Sequence, residues 1–238
     1  MRRFRTWRRA RRAAAVLTLA AGVALCLAAC QAGPGEPQRL ESPPSYVLVN
    51  PGSQQPSGPS TPAATTAPAM SGSAQAQLDQ DLIAAAKANN VVLVGELIGR
   101  GGNVNAKDAI QDSAFLYAGA EGFNDVLRLT LAAGADVAST NRYGGTALIP
   151  ASEHGHVETV RLLLAARVPV NHVNNLGWTA MQEAVLLNNG GPRQQDVVRL
   201  LLEAGGDPNI RDPQGRTARE NAERLGFVEI ANLIRGHG

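Results

Sequence analysis

Cysteine is almost absent from this chain of 238 residues, which contains only Cys26 and Cys30. Both lie in or beside an apolar segment near the start. Everything after residue 30 therefore lacks the thiols needed for a disulfide framework or a thiolate metal site. We expect that part of the chain to be stabilised by packing alone.

Positive charge is scarce outside the first twelve residues. Seven of the 22 Lys and Arg residues lie in residues 1–12, which leaves 15 of them against 20 Asp and Glu, a net charge of −5, in residues 31–238. Proteins bind phosphate backbones through clustered Lys and Arg side chains. We therefore expect no nucleic-acid partner.

Signatures of catalysis are also missing. The chain has no Gly-x-Ser-x-Gly elbow and no Ser-x-x-Lys pair. The glycine-rich segment Gly99–Gly102 lacks the Lys-Ser/Thr pair that holds a phosphate and magnesium in a phosphate loop. We interpret it as a helix-ending turn, and we expect neither an enzyme nor a bound cofactor.

The first 29 residues have the composition of a signal peptide. A cationic stretch over residues 1–12 precedes 17 uncharged, mostly apolar residues from Ala13 to Ala29. A helix of that length spans about 25 Å, which is short of the ~30 Å hydrocarbon core of a bilayer. This favours a cleaved export signal over a stable transmembrane helix.

Four residues at the end of this segment indicate a lipid anchor. Leu27-Ala28-Ala29-Cys30 resembles the lipobox of bacterial lipoproteins, which implies cleavage after Ala29 and attachment of acyl chains such as palmitate to Cys30. Two or three acyl chains hold a protein stably on a bilayer. We expect anchoring to the bacterial cell membrane, facing the periplasm or the extracellular side. Ordinary cleavage that leaves Cys30 as a free thiol is the alternative.

Residues 30–77 comprise the lipidated Cys30 and a spacer rich in Pro, Ser, Gly, Gln, Thr and Ala. Nine of the 14 prolines lie between Pro34 and Pro68. Such a composition cannot bury enough apolar surface to offset the entropy of ordering, so we predict a disordered linker. Its one apolar run, Tyr46–Val49, is either a chance cluster or a short docking segment.

Two markers recur with the same spacing in the rest of the chain, at intervals of 33, 33 and 38 residues. The first marker is a hydroxyl residue, at Ser113, Thr146, Thr179 and Thr217. The second marker is an asparagine in three units and an alanine in the other, at Asn105, Ala138, Asn171 and Asn209. One five-residue insertion within Leu187–Gln195 explains the longer interval in both series. A period of this length is typical of stacked repeats.

The repeating unit resembles the ankyrin repeat, in which Thr-Pro-Leu-His opens the first helix. The third unit is the nearest match, with Gly145-Thr146-Ala147-Leu148 and then Gly155, although Ala replaces the usual Pro at residues 114, 147, 180 and 218. The resemblance implies an all-α ankyrin-repeat solenoid of helix-turn-helix repeats with β-hairpin-like loops. We predict one domain over residues 78–238, with repeats at 78–105, 106–138, 139–171, 172–209 and 210–238.

Local chemistry within a unit supports this interpretation. We expect the Thr146 hydroxyl to cap its helix and Gly155 to adopt the left-handed conformation at the helix end. His154 and His156 could begin a zinc site, but such a site needs further ligands at about 2 Å. The resemblance makes His156 a structural residue, so we expect no metal.

Ankyrin arrays bind proteins on a rigid surface made of loop tips and inner helices, so binding costs little ordering entropy. The predicted partner-binding residues are Arg142, Tyr143, Ile149, Trp178, Gln182, Glu183 and Arg216. Packing between repeats is the alternative role for Trp178. We predict a monomeric, non-catalytic, envelope-tethered scaffold for another protein. The alternative is a specific inhibitor or protective partner of an exported envelope enzyme, linked to stress.

Replacing Cys30 with Ser tests the lipid anchor. Without the thiol no acyl chain can be attached, so exported Cys30→Ser protein should move from the membrane fraction to the soluble fraction. The Cys26→Ser protein should remain with membranes. Fractionation and immunodetection of cells expressing each variant measures this. A cleaved Cys30→Ser protein that still sediments with membranes would contradict the anchor.

Overall fold

The computed structural model describes residues 71–237, which fold into ten helices and contain no β-strand. The helices are α1 (Gly72–Lys87), α2 (Val91–Gly99), α3 (Ala114–Glu121), α4 (Asn124–Ala132), α5 (Leu148–Glu153), α6 (Val157–Ala165), α7 (Ala180–Leu186), α8 (Pro192–Glu203), α9 (Ala218–Leu225) and α10 (Val228–Arg235). Each odd-numbered helix packs against the helix that follows it, which gives five pairs. The all-α class expected from the sequence is confirmed.

The five pairs stack in chain order and form two layers. The first helices of the pairs contact one another in sequence and form the first layer, and the second helices form the second layer. Among these ten helices, none combines the length and the hydropathy that a membrane span requires. The predicted signal peptide, the lipid site Cys30 and most of the predicted linker lie outside the described residues.

A row of buried alanines runs through the helices of the first layer, one on each helix. The row recurs at intervals of 33, 33, 33 and 38 residues and each member is at most 4% exposed; it comprises Ala85, Ala118, Ala151, Ala184 and Ala222. A methyl side chain allows two helix backbones to approach closely. Gly119 shows how tight this layer is, because a Cβ added there would lie 2.8 Å from the Cβ of Ala147. Larger side chains at these positions would force neighbouring repeats apart.

The last repeat ends the stack with a polar residue. In the first four repeats one position is apolar and buried, occupied by Leu82, Phe115, Leu148 and Met181. The equivalent residue of the fifth repeat is Arg219, which is exposed. A charged side chain on the terminal face keeps that face solvated, as repeat arrays require at their ends.

Helix α1 begins at Gly72, six residues before the domain boundary predicted at residue 78. The Ser71 hydroxyl accepts the N–H of Ala74 and caps the helix. Gln75 then donates to Asp79 across one turn, at 2.8 Å. These polar contacts extend the helix into a stretch before residue 78 that no apolar periodicity marks.

Hydroxyl caps begin three of the first-layer helices as expected. In each, the side chain accepts the N–H of the residue three positions later; the caps are Ser113, Thr179 and Thr217. The prediction that the Thr146 hydroxyl caps α5 is wrong. Pro150 has no N–H to give to the Thr146 carbonyl, so the N–H of Ile149 bonds to that carbonyl at 3.2 Å. The buried Thr146 Oγ1 has no hydrogen-bond partner.

Tight loops connect successive pairs, and we call four of them the fingertip loops: residues 108–112, 141–145, 174–178 and 212–216. In each, the first residue donates its N–H to the carbonyl of the fifth. The side-chain oxygen of that first residue also accepts the N–H groups of the third and fifth residues; these residues are Asp108, Asn141, Asn174 and Asp212. Side-chain hydrogen bonds thus close the loops that were predicted to resemble β-hairpins.

Replacing Arg167 with Gly should stabilise the array. Arg167 has a φ of +63° at the turn after α6, where Gly134 occupies the equivalent turn with a φ of +84°. Arg167 is exposed, so removing its side chain forfeits no packing. Because the left-handed conformation strains a residue that has a Cβ, Arg167→Gly should raise the free energy of unfolding by about 0.5–1 kcal/mol.

The matched control is Gly134→Ala, since nothing lies within 4 Å of a Cβ added at Gly134. The new Cβ therefore introduces backbone strain without a steric clash, and the free energy of unfolding of Gly134→Ala should be about 1 kcal/mol lower than that of the native chain. Urea denaturation measures both variants. A destabilised Arg167→Gly protein would contradict the assignment of strain to this turn.

Candidate functional site

The third position of each fingertip loop carries a side chain that is at least partly exposed. These residues, which we call the fingertip row, are Ile110, Tyr143, Leu176 and Gln214. Ile110 is 49% exposed and Leu176 is 43% exposed, and Tyr143 is partly buried. Apolar side chains exposed at successive positions of one surface are typical of a protein-binding face.

Contacts between neighbouring loops hold the row together. The N–H of Asn175 donates to the carbonyl of Tyr143 at 3.0 Å. Gly177 lies so close to Pro213 that a Cβ on the glycine would be 2.6 Å from the proline ring. The His172 ring nitrogen lies 2.6 Å from the carbonyl oxygen of Gly144. The loops therefore form one connected edge of the stack.

Arg142 is the cation beside the fingertip row. Its Nη1 donates to both carboxylate oxygens of Asp112, at 3.1 and 3.2 Å. The guanidinium also lies over the Tyr143 ring, 4.8 Å from its centroid. Hydrogen bonding by Tyr143 and the charge of Asp112 raise the pKa of Arg142. The side chain stays 38% exposed, so a fixed cation faces solvent next to apolar groups.

A second cation, Lys87, joins the same cluster from the end of α1. Its Nζ lies 2.5 Å from Asp108 and 3.8 Å from Asp112, and 5.4 Å from the centre of the Tyr117 ring. Burial raises the pKa of Asp108, but the hydrogen bond from Lys87 and those from backbone N–H groups outweigh it and lower the pKa below its usual value. Asp108 is therefore ionised and pairs with Lys87.

Four of the seven predicted partner-binding residues are buried, which assigns them to packing. Their exposed fractions are at most 5%, and they are Ile149, Trp178, Gln182 and Glu183. Gln182 closes a capping box with Thr179 and donates to the carbonyl of Ile210 at 2.9 Å. Glu183 accepts from the Asn174 amide at 2.7 Å. These residues build the wall beneath the loops and present little surface to a partner.

The other three predicted residues reach the surface to different degrees. Arg142 and Tyr143 lie together in one fingertip loop and are accessible. Arg216 is partly exposed, but its side chain donates to Asn221 at 2.8 Å and pairs with Asp212 within its own repeat. The structure thus brings Arg142 and Tyr143 into one exposed site and ties Arg216 to the last repeat.

The sequence interpretation missed the groups that position Arg142. Asp112 is buried and Lys87 lies at a helix end more than 50 residues from Arg142, so neither stands out in the chain. A usable signal was present in the first residues of the loops, because Asp or Asn recurs there at intervals of 33, 33 and 38; they are Asp108, Asn141, Asn174 and Asp212. This series locates the fingertip loops directly.

The histidines take part in packing and hydrogen bonding. His154 Nδ1 lies 2.8 Å from the carbonyl oxygen of Ala120, and the His154 and His156 ring centroids are 5.4 Å apart. The His156 ring lies against Gly122, about 3.0 Å from the position of an added Cβ. Within residues 71–237, no three His, Cys, Asp or Glu side chains are arranged to hold a metal ion.

The chain matches a family model described as ankyrin repeats (3 copies), over residues 82–174 and again over 115–212. The ankyrin repeat protein YahD of Escherichia coli (strain K12) is 40% identical to it over 142 residues, which are 59% of this chain and 71% of that protein. Domains of this family are typically protein-interaction modules that catalyse no reaction.

Solved structures are similar over the same part of the chain. An ankyrin repeat domain from Acinetobacter baumannii AYE is 57% identical, with a TM-score of 0.65, covering 66% of this chain and 80% of that chain. The ankyrin repeat protein EF0377 is 41% identical, with a TM-score of 0.64 and the same coverage of both chains.

Acid should weaken the array through His156. Burial, followed by the charges of His154 and Arg193, lowers the pKa of His156 in the folded state. The unfolded chain then binds the proton more readily, so the stability contribution is complete above about pH 6.5 and is lost as the pH falls below that value. The thermal midpoint of the native chain should fall further between pH 7.5 and 5 than that of His156→Gln.

The control is His237→Gln, because His237 is exposed near the end of the chain. Its thermal midpoint should fall as much as that of the native chain over the same pH interval. Equal losses in the His156→Gln and native proteins would show that His156 does not contribute.

Proposed function

Because the chain belongs to the ankyrin-repeat family, we propose that it is a membrane-tethered scaffold that binds another exported protein through its fingertip row. The observation that carries this proposal is the exposure of Ile110 and Leu176 on either side of Tyr143. An exposed row of this kind costs nothing to assemble on binding, because hydrogen bonds already hold the loops in place.

Arg142 adds a positively charged group to the proposed binding surface. The guanidinium has five N–H donors in a rigid fork, and Nη1 alone makes the hydrogen bonds to Asp112. The cation is therefore held in position while it remains accessible to an acceptor on a partner. Tyrosine and arginine at such positions frequently supply most of the binding energy. Trp178 and Glu183 support the loops from within.

The lipobox-like sequence Leu27-Ala28-Ala29-Cys30 supports our proposal that this scaffold lies at a membrane. The proposal takes Cys30 as the lipidated residue and residues 31–70 as the spacer, with the repeats on the periplasmic or extracellular side. A flexible chain of that length has a root-mean-square extension of about 35 Å. That extension would let a monomeric repeat domain reach proteins in the envelope while the lipid keeps the domain at the membrane.

Substitutions in the fingertip row should weaken partner recognition at least tenfold. The double variant Tyr143→Ala with Leu176→Ser removes two neighbouring apolar contacts, and we expect at least a tenfold loss of one specific cross-linked product. The experiment uses chemical cross-linking in intact cells, followed by mass spectrometry of what is attached to the chain. Circular dichroism of the purified variant checks that its thermal transition remains.

The matched control replaces Val92 and Val228 with Ser, since these valines are 73% and 59% exposed on second-layer helices. The control should retain the cross-linked product. Equal loss in both variants, or no loss in either, would contradict binding through the fingertip row. If the partner is an envelope enzyme whose activity falls when the purified domain is added, the inhibitor alternative replaces the scaffold.

A further inference from the structure

One Asn-Gly pair occurs in the chain, at Asn189 and Gly190. It lies in the inserted segment between α7 and α8, away from the residues of the fingertip row. A backbone nitrogen can attack the carboxamide of the asparagine before it, and glycine has no side chain to hinder that attack. Among the asparagines of the chain, Asn189 is therefore the one most prone to lose its amide.

The structure holds the Asn189 carboxamide in a position that favours this attack. Asn189 is exposed, so water reaches its side chain. Its Oδ1 accepts the N–H of Gly191 at 3.1 Å. This hydrogen bond turns the carboxamide back along the following backbone and draws electron density away from Cγ. The same N–H would stabilise the negative charge that develops on Oδ1 when a nitrogen attacks Cγ.

Gly190 supplies the attacking nitrogen, and the packing requires a glycine there. Within residues 71–237, no group accepts the Gly190 N–H, so no hydrogen bond has to break before that proton leaves. Gly190 has a φ of +68°, which favours glycine. A Cβ at this position would lie 2.5 Å from Cγ of Phe227 in the last repeat. The contact between the fourth and fifth repeats therefore keeps the reactive pair in place.

We propose that Asn189 is a site of spontaneous deamidation in the folded chain, and that the modification changes the contact between the fourth and fifth repeats. The Gly190 nitrogen bonds to Asn189 Cγ, the Cγ–Nδ2 bond breaks, and Nδ2 leaves as ammonia with the proton that Gly190 loses. Water then opens the cyclic imide on either side of its nitrogen. One product is aspartate. The other is isoaspartate, whose main chain runs through Cγ and is longer by one methylene.

The two products should affect the array in opposite directions. Aspartate places a carboxylate beside the N–H of Gly191, the N-cap of α8, a helix with no side-chain cap and no acidic residue in its first turn. The helix dipole stabilises an anion at that end. In isoaspartate the added methylene displaces Gly190, which lies against Phe227 and whose carbonyl accepts from Gln195 at 2.9 Å. Isoaspartate should therefore loosen the last repeat.

Timed incubation of the purified native chain at mildly alkaline pH tests the site. Because each product carries a new carboxylate, a more acidic species should accumulate on ion-exchange chromatography. Peptide mapping by mass spectrometry should place aspartate and isoaspartate at residue 189.

Two controls make this test specific. Asn189→Gln retains the amide but closes the corresponding larger ring far more slowly, so it should not form the acidic species. Asn175 is also exposed but is followed by the branched Leu176, so it should stay intact in the same samples. An Asn189 amide that survives in the folded chain, while a synthetic peptide of residues 186–196 is converted, would overturn the proposal.

Thermal denaturation of the separated species tests the effect on the repeats. Asn189→Asp reproduces one product and should raise the thermal midpoint of the native chain by about 1–3 °C. The isoaspartate species should melt below the native chain, and its amide hydrogen exchange should quicken in α9 and α10 before the other helices. Equal midpoints and equal exchange in the isoaspartate and native species would overturn the effect on the last repeat. The fingertip row takes no part in this chemistry, so the result does not depend on the proposed function.

Discussion

Close contact between successive helix pairs is the constraint on which the structure depends. A single pair of short helices cannot enclose a core, so each repeat buries its apolar residues against the next repeat. The alanine row makes that contact possible, and Gly119 against Ala147 leaves no room for a larger side chain. The stack then has to end in a polar residue, as Arg219 does, because an apolar terminal face would remain open.

The same stacking creates the candidate binding surface. Once the helices are in register, the loops that join successive pairs emerge along one edge, and the Asp or Asn at the start of each closes its loop with side-chain hydrogen bonds. The Arg142–Asp112 salt bridge, the hydrogen bond from Asn175 to the Tyr143 carbonyl and the contact of Gly177 with Pro213 then link one loop to the next. Arg142 depends on this arrangement, since Asp112 comes from the preceding repeat. A surface built in this way is ordered before any partner arrives.

Sequence periodicity predicted most of the fold and only part of the site. The 33-residue interval and the insertion near Leu187 placed four of the five helix pairs, whereas α1 starts earlier because polar contacts such as Gln75 with Asp79 extend it. Of the residues proposed to bind a partner, Arg142 is exposed and Tyr143 is partly exposed. Trp178 and Glu183 are buried, because residues at the base of a loop face the neighbouring repeat as well as solvent.

What the sequence by itself determined is the repeat, its register and the composition of the segments before it. These features depend on short stretches of sequence or on the interval between equivalent residues of successive repeats. The tertiary structure decided which side chains of each repeat are exposed and which charged side chains form ion pairs. Burial of Trp178, the missing cap at Thr146 beside Pro150, and the Lys87–Asp112–Arg142 cluster all depend on atoms from neighbouring turns and repeats. The spacing of residues along the chain does not predict those contacts, because they form only when the repeats stack.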